Sequence, residues 1–311
     1  ESSTYPGTTD TELASVLERS GLKKDEDFYL AYSPEREDPG NETFSTSTIP
    51  KIVGADTPLA RDMAVAVYDG VISEIIPVAS SRTAEAIKLT ENIFRSVNIA
   101  LVNELKVIFD AMDIDVWSVI DGAATKPFGF MPFYPGPGLG GHCIPIDPFY
   151  LTYKAREYDV PTRFIELAGE INTKMPQLVV AKTGQALSLI SQKALNGSSI
   201  LIIGMAYKKN VDDMRESPSL VLTELLEAEG AEVAYHDPYF PTIPQTREHS
   251  QLAGRTSLDL TPEILSGFDA VLISTNHDVL DYQMMADHAK LIVDTRNAMK
   301  DISGKAVVVK A

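Results

Sequence analysis

The sequence predicts an α/β protein in which two parts containing parallel sheets are separated by a long helix. Short apolar segments of strand length alternate with helical patterns both before residue 80 and after residue 196, as in βαβ units. Between these parts, one uninterrupted helical pattern runs from Arg82 to about Met112, with apolar residues at spacings of three and four. We therefore predict three domains, comprising residues 1–80, 81–195 and 196–311.

Composition excludes several classes of protein. The 311 residues are 44% hydrophobic, and 27 basic against 44 acidic side chains give a net charge of −17, which repels nucleic acid. One cysteine leaves no disulfide framework and suits a reducing compartment, so we expect a cytoplasmic location. No apolar run approaches the roughly 18 residues of a membrane span.

The first part reads as a partial parallel sheet. After the Pro6-Gly7 turn, Thr9 or Asp10 is expected to cap a helix. The predicted elements are the helix Thr11–Ser20, the strand Phe28–Tyr32, the strand Pro50–Gly54, a helix from Thr57-Pro58 to about Gly70, and the strand Ile75–Val78. No G-x-G-x-x-G turn opens this part. Residues 136–141 contain similar letters, but no βα unit flanks them, so we reject them as a cofactor loop.

The middle part is predicted to be helical. At ~1.5 Å per residue, the long helix would span ~45 Å, a length typical of domain bridges and dimer interfaces. Lys88 and Asn92 lie four residues apart and share one face of it, although each alone could be a solvated position. The segments predicted after it are the helix Asp115–Asp121, the aromatic loop Phe128–Tyr134, and helices at Tyr150–Tyr158, Pro161–Lys174 and Pro176–Lys193.

A glycine- and proline-rich segment, PGPGLGGHCIPIDPFYL at Pro135–Leu151, holds the single cysteine, Cys143. Its glycines permit close approach of a ligand, and its prolines predict a rigid loop that no helix runs through. With His142 and Asp147 nearby, Cys143 is a candidate nucleophile, and the alternative is a small buried hydrophobe. No second Cys or His cluster completes a metal site.

The last part predicts a second sheet. Its expected elements are the strands Ser199–Gly204, Glu232–Tyr235, Ala270–Ser274 and Leu291–Asp294, with the helix Ser219–Glu229 ended by Gly230. The polar segment Met205–Ser217 follows the first strand, and His236-Asp237-Pro238 follows the second. Ligands of such sheets bind at the carboxyl ends of strands, where the cations Lys208, Lys209, Arg215 and Arg296 fall. These cations indicate either a phosphate or diphosphate site or an ordinary solvated loop.

Four motifs in one order resemble the UDP-glucose/UDP-N-acetylhexosamine 6-dehydrogenase family. They are ESSTYPGTT, AEAIKLTEN, PGLGGHCIPIDP and GMAYKKNVDDMRES, with a weaker DTR at Asp294–Arg296. The resemblance implies a partial N-terminal Rossmann domain that binds NAD, a long central dimerisation helix and a C-terminal Rossmann-like UDP-binding domain. It covers everything after the first half of the NAD domain, so we expect a truncated chain that is inactive by itself and binds NAD poorly.

The resemblance also implies catalytic roles. Cys143 would carry a thiohemiacetal and then a thioester during oxidation of a sugar alcohol at C6 to the acid by two NAD. Lys88 and Asn92 match the residues at the oxyanion, Asp147 the carboxylate that handles protons or water, and Glu35 a glutamate near the hydrolytic water. The catalytic hydroxyl falls on Ser3 or Thr4, and the family's second glutamate falls on Pro39, so that role is either vacant or moved to another residue.

The resemblance assigns binding residues as well. Those expected at the UDP-sugar are Phe130, Tyr134, Gly138, Tyr207, Lys208 and Arg296, and Arg215 is expected at the cofactor. SPEREDPGN and the cysteine segment are most similar to the branch that oxidises UDP-N-acetylglucosamine. The alternatives are UDP-N-acetylmannosamine or UDP-glucose as substrate, or a non-catalytic nucleotide-sugar binding module. A homodimer through the central helix is implied.

Overall fold

The structure is a computed structural model that describes residues 2–37, 43–141 and 143–311. Pro39 and His142, both considered above, lie outside the described residues. The chain divides into two compact units, one formed by residues 1–97 with 146–166 and the other by residues 98–145 with 167–311.

Helices and strands alternate along most of the chain. In order they are a π-helical segment Thr8–Leu13 leading into α1 (Ala14–Glu18), β1 (Lys51–Gly54), α2 (Pro58–Asp69), β2 (Ile75–Val78), α3 (Ser81–Ala111), α4 (Val116–Ala124), α5 (Cys143–Ala155), a 3₁₀ turn Arg156–Tyr158, α6 (Arg163–Ala186), a π-helical end Leu187–Ser191, β3 (Ser199–Ile203), α7 (Pro218–Ala228), β4 (Glu232–His236), a 3₁₀ turn Ser250–Leu252, α8 (Pro262–Gly267), β5 (Ala270–Ile273), α9 (Tyr282–His288), β6 (Leu291–Asp294) and β7 (Val307–Lys310).

The first unit contains a two-stranded parallel sheet of β1 and β2, joined by α2. The Thr57 side chain accepts a hydrogen bond from Ala60 N at the start of α2, and Pro58 is the first helical residue, where no backbone N–H is needed. The strand predicted at Phe28–Tyr32 is wrong. Tyr32 makes only an isolated antiparallel bridge to Gly54, because the residues between it and Phe28 have no neighbouring strand to pair with in the described chain.

The first helical segment begins earlier than the sequence predicts. Gly7, at φ +103°, turns the chain so that the helical segment starts at Thr8. Neither Thr9 nor Asp10 caps it, which corrects that prediction. The capping acceptor comes from far along the chain instead, since the Glu85 carboxylate accepts from Gly7 N at 2.7 Å and Thr9 N at 2.9 Å.

The long helix is confirmed as α3, with 31 residues. Its first half contributes Ala84 to a core with Tyr32 and Ile52 in the first unit. Its second half contributes Val102 to a core with Trp117 in the second unit. No helix within the described residues, α3 included, is long and apolar enough to cross a membrane.

Prolines lie within α5 and α6, which corrects the predicted loop after Cys143 and the predicted break before Pro176. Pro145 is the third residue of α5, in the first turn, where its missing N–H leaves no bond unmade. Pro148 lies deeper in α5, and Pro176 lies in the middle of α6. Both are buried, so packing offsets the backbone hydrogen bond that each one removes.

The second unit contains a five-stranded parallel sheet in the order β4-β3-β5-β6-β7. Both faces are covered, because Ile200 and Ile202 of β3 face one apolar core and Leu201 and Ile203 face the other. The carboxyl ends of β4, β3 and β5 lie side by side, since Ile203 pairs with both His236 and Ile273. The edge strand β7 and the helices α8 and α9 were not predicted.

Candidate functional site

Two side chains of α3, Lys88 and Asn92, were expected from the sequence to take part in catalysis. Lys88 is 8% exposed, and its Nζ donates to the backbone carbonyl of Glu35 at 2.6 Å. Asn92, one turn further along, is 3% exposed, and its Nδ2 donates to Asp147 Oδ2 at 2.8 Å. A buried ammonium whose recorded partner is a neutral carbonyl keeps its positive charge available for an anionic group.

Asp147 is fully buried in the second turn of α5. Its Oδ2 accepts from Asn92, whereas its Oδ1 has no hydrogen-bond partner among the described residues. Leaving a buried carboxylate oxygen without a partner costs on the order of 1–3 kcal/mol, which favours binding of a hydrogen-bond donor at Oδ1. Of the predicted catalytic residues in the first unit, the structure therefore brings Asn92 and Asp147 into direct contact.

Glu35 points its carboxylate back at its own loop. Its Oε1 accepts from the backbone N–H groups of Arg36 and Glu37, each at 2.8 Å, and the residue is exposed. Arg36 anchors the same loop through Nη2, which lies 2.7 Å from Glu91 on α3. The Glu35 backbone is thus tied to Lys88, while its exposed carboxylate is held by backbone N–H groups of its own loop.

The turn before the first helical segment holds the two candidate hydroxyls. Thr4 Oγ1 lies 2.6 Å from Thr8 Oγ1, and Thr8 donates its own hydroxyl proton to the Tyr5 carbonyl at 2.8 Å. Thr4 is therefore the donor to Thr8. The Ser3 side chain has no recorded partner among the described residues, so both hydroxyls stay candidates.

In the second unit, Cys143 is partly exposed and follows a tightly packed glycine turn. A Cβ placed on Gly140 would lie 2.6 Å from Tyr207 Cβ, and one on Gly141, at φ +78°, would lie 3.0 Å from the Tyr207 ring. Gly141 N also donates to Arg215 O at 3.0 Å. These contacts explain the glycines, because any side chain there would displace Tyr207. They also attach the turn to the polar segment after β3.

That polar segment carries three of the predicted cations. Arg215 is largely exposed and pairs with Asp213 at 2.6 Å, whose hydrogen bond and charge raise the pKa of Arg215. Lys209 pairs with Asp278 at 3.1 Å. Lys208 lies with its Nζ 6.0 Å from the centre of the Tyr207 ring. The cations do share one segment, but two of them are paired to carboxylates here.

Arg296, which follows β6, is the cation best placed to meet an anion. Its Nε donates to the Ser274 carbonyl at 2.7 Å, and no carboxylate within the described part of the chain forms an ion pair with its guanidinium. Burial lowers the pKa of Arg296 to about 10, against the opposing charge of Asp294, so the group stays cationic at neutral pH. A Cβ on Gly136 would lie 2.5 Å from its Nη1.

The aromatic loop 128–134 is open to solvent. Phe130 is 41% exposed and Tyr134 47%, with the Tyr134 hydroxyl donating to Asp121 Oδ1 at 2.8 Å. Gly138, which follows this loop, has φ +144°, and a Cβ placed on it would lie 3.4 Å from both Pro176 and Pro218. Exposed rings on a loop that ends in a fixed turn are available to cover a ligand.

Sequence reasoning missed several buried polar residues that hold these segments. They are Glu85, Asn103, Asp237 and His277, each at most 2% exposed. Asn103, for example, accepts from Gly136 N at 3.0 Å and donates to Asn172 Oδ1 at 2.9 Å. The position of Asp237 after a strand was the one signal available, because the partners of all four lie far away in sequence.

Together, a parallel sheet with cations at its carboxyl edge and a single thiol after a glycine turn define a nucleotide-binding α/β protein with a candidate nucleophile. Three sequence models of one family match this chain: its NAD binding domain over residues 1–72, its central domain over 82–174 and its UDP binding domain over 201–301. The chain belongs to the UDP-glucose/GDP-mannose dehydrogenase family. The predicted family, the fold class and NAD as its cofactor are thereby confirmed.

Individual relatives act on different sugars. The chain is 38% identical over 241 residues to the UDP-N-acetyl-D-glucosamine 6-dehydrogenase of Pseudomonas aeruginosa, covering 77% of this chain and 56% of that protein. It is 33% identical over 307 residues to the UDP-N-acetyl-D-mannosamine dehydrogenase of Pyrococcus horikoshii, covering 97% and 69%. A solved structure of the UDP-D-ManNAc dehydrogenase from the same organism superposes with a TM-score of 0.86 at 30% identity, covering all of this chain and 71% of that one. The chain thus spans little more than half of the first relative.

Proposed function

We propose that this chain is part of an NAD-dependent dehydrogenase that oxidises C6 of UDP-N-acetylglucosamine from the alcohol to the carboxylate. The observation that carries the proposal is the fixed glycine turn that presents Cys143, in a unit that also holds Arg296, a cation with no ion pair among the described residues. A binding module without catalysis has no need for a lone, partly exposed thiol in such a turn. We also keep as proposals the three domains 1–80, 81–195 and 196–311.

One side chain of the second unit, Arg215, is suited to bind a phosphate of the cofactor. NAD, when bound, accepts one hydride in each of the two oxidation steps. Arg215 fits a cofactor phosphate, because its guanidinium is largely exposed and its recorded partner is Asp213 of the same short segment. An incoming phosphate can replace that carboxylate at the guanidinium, while the Arg215 backbone N–H, 3.0 Å from Asp213 Oδ1, continues to donate to Asp213.

Cys143 provides the covalent route between the two oxidations. After the first hydride leaves C6, the thiolate adds to the aldehyde carbon and forms a thiohemiacetal. Loss of the second hydride from the same carbon gives a thioester on Cys143. Water then attacks the thioester carbonyl, the carbon–sulfur bond breaks, and the carboxylate and the free thiol are released.

The remaining polar groups of the first unit suit charge and proton handling. Lys88 supplies a buried ammonium and Asn92 an amide for the oxygen that becomes negative, and one such donor is typically worth about 3 kcal/mol. Asp147, with one oxygen unpaired, can accept a proton or hold a water. Glu35 and either Ser3 or Thr4 are proposed to orient water and the sugar hydroxyl.

The UDP part is assigned to the second unit. Arg296 offers a partly buried cation for a phosphate or a uracil carbonyl, Lys208 a second cation, and Tyr207 an aromatic ring. Phe130 and Tyr134 of the open loop, with Gly138 behind them, are proposed to cover the sugar. The alternative substrate UDP-N-acetylmannosamine is favoured by the relatives that cover nearly all of this chain.

Calorimetric titration tests this assignment. We expect the chain to bind UDP-N-acetylglucosamine more tightly than UDP-N-acetylmannosamine or UDP-glucose, and Arg296→Met to weaken binding by roughly 10- to 100-fold, since hydrogen bonds to charged groups contribute about 1.5–3 kcal/mol. Arg247→Met, which removes an exposed arginine from the same unit, is the matched control. Equal binding by Arg296→Met and the unchanged chain would refute the UDP site, and a preference for the mannosamine compound would replace the substrate.

We further propose a homodimer through α3. The helix leaves Leu101 51% and Ile108 45% exposed seven residues apart, which places them on one face, and Met112, directly after the helix, is 60% exposed. Burying such a row against a second copy would remove it from water. Sedimentation equilibrium that shows a monomer at every concentration would contradict this proposal.

A further inference from the structure

A buried aspartate and histidine meet at the carboxyl edge of the second sheet. Asp237 follows β4 and His277 follows β5, on either side of β3, and His277 Nε2 lies 3.1 Å from Asp237 Oδ2. Their side chains are fully buried. Neither residue belongs to the groups assigned above to catalysis or to UDP.

The hydrogen bonds fix the protonation form of His277. Its Nδ1 accepts from the backbone N–H of Asn210 at 2.9 Å, so Nδ1 carries no hydrogen. A carboxylate can only accept, so the hydrogen lies on Nε2 and points at Asp237. The imidazole is therefore neutral, and a second proton, which must go to Nδ1, would place two N–H groups against each other.

Both residues hold the polar segment that follows β3. Asp237 Oδ2 accepts from Met205 N at 2.5 Å and from Ala206 N at 3.0 Å, which fixes the start of the segment. His277 fixes it four residues later through Asn210, which has the left-handed backbone at φ +61°. Tyr207 and Lys208 lie between these two anchors.

The anchored segment in turn supports the cysteine turn. Tyr207 is packed against Gly140 and Gly141, and Gly141 N donates to Arg215 O in the same segment. A shift of Tyr207 by a fraction of an ångström is transmitted to that turn, because the glycines leave no free space.

We propose that the His277–Asp237 pair is a positioning device for UDP-sugar binding, in which a neutral imidazole fixes the loop that carries Tyr207 and Lys208. The proposal rests on the UDP site proposed above.

Two substitutions separate the two hydrogen bonds. His277→Gln can place an amide N–H near Asp237 but has no acceptor for Asn210 N. His277→Asn can place its Oδ1 near the position of Nδ1, so it can retain that acceptor and loses the donor to Asp237. His249→Gln, at a partly buried histidine paired with Glu224 in the same unit, is the control.

Calorimetry with UDP-N-acetylglucosamine at pH 8 gives the first readout. We expect His277→Gln to bind roughly tenfold more weakly than the unchanged chain, the loss of one buried hydrogen bond. His277→Asn, which keeps an acceptor for Asn210 N, should bind more tightly than His277→Gln, and His249→Gln should bind as tightly as the unchanged chain. Unchanged affinity in His277→Gln, or equal weakening in His277→Asn and His277→Gln, would overturn the proposal.

Amide hydrogen exchange without ligand gives an independent readout. In His277→Gln, residues 205–212 should exchange at least tenfold faster, while β3 amides at 200–203 stay protected. Unchanged exchange in 205–212 would overturn the inference even if no UDP-sugar bound. Failure of the unchanged chain to bind any UDP-sugar, together with the expected exchange, would refute the proposed UDP site and leave the anchoring intact.

Discussion

Replacement of Glu85 by glutamine tests how the first unit holds the turn that carries Ser3 and Thr4. Glu85 is fully buried on α3, and its carboxylate makes three hydrogen bonds across 76 to 78 residues of sequence. Oε1 accepts from Thr9 N at 2.9 Å and from Thr9 Oγ1 at 2.7 Å, and Oε2 accepts from Gly7 N at 2.7 Å. Glutamine has the same shape but only one acceptor atom.

The cost follows from those contacts. In Glu85→Gln, the amide oxygen can keep the two bonds to Thr9, now without charge, and the NH₂ group then faces the Gly7 N–H. Hydrogen bonds to charged groups contribute about 1.5–3 kcal/mol and an unpaired buried donor costs about 1–3 kcal/mol, so we expect a loss of about 2–4 kcal/mol locally. At about 1.4 kcal/mol per tenfold change, opening of the turn becomes roughly 30- to 700-fold more frequent.

Hydrogen exchange of residues 5–14 measures this change directly. Fluorescence does not, because the single tryptophan, Trp117, lies in the other unit. Glu104→Gln, at an exposed position of the same helix, is the control and should leave the exchange unchanged. Exchange of residues 5–14 in Glu85→Gln within threefold of the unchanged chain would refute the view that this carboxylate holds the turn.

Two further substitutions examine the second unit. Gly140→Ala should lower the free energy of unfolding, measured by Trp117 fluorescence in urea, by about 1–3 kcal/mol, because its Cβ would lie 2.6 Å from Tyr207 Cβ. The control Gly122→Ala in α4, whose Cβ would have no atom within 4 Å, should not lower it. Equal stability of the two variants would contradict the packing. Leu101→Glu should convert the proposed dimer to a monomer in sedimentation, because it puts a charge into the exposed apolar row of α3, and a dimer unaffected by it would place the interface elsewhere.

Periodicity and end signals predicted the regular elements well. The helix α3 was expected from Arg82 to about Met112 and occurs at Ser81–Ala111, because its apolar spacing is unbroken and no Gly or Pro interrupts it. Four of the five strands of the second sheet, β3 to β6, were expected within one residue of their observed ends. Such signals lie within the element itself, so the sequence alone displays them.

Proline was the main source of error. A rule that ends helices near proline predicted a loop after Cys143 and a break before Pro176, yet α5 contains Pro145 and Pro148 and α6 contains Pro176. The rule counts one lost backbone hydrogen bond and takes no account of the burial of the proline side chain, which offsets that loss. Pro176, for instance, packs against Gly138, a contact between residues 38 positions apart.

The candidate site shows the same division between local and distant information. The types of residue that we propose for the chemistry, Cys143 and Asp147 among them, can be read from motifs, because each reactive group is a single side chain. What fixes them cannot be read in this way, since Gly141 is held by Tyr207 and Arg215, more than 60 residues later. The glycines of the turn therefore reflect the bulk of a distant tyrosine as much as the approach of a ligand. A substitution at Tyr207 should for this reason disturb the cysteine turn even when no substrate is bound.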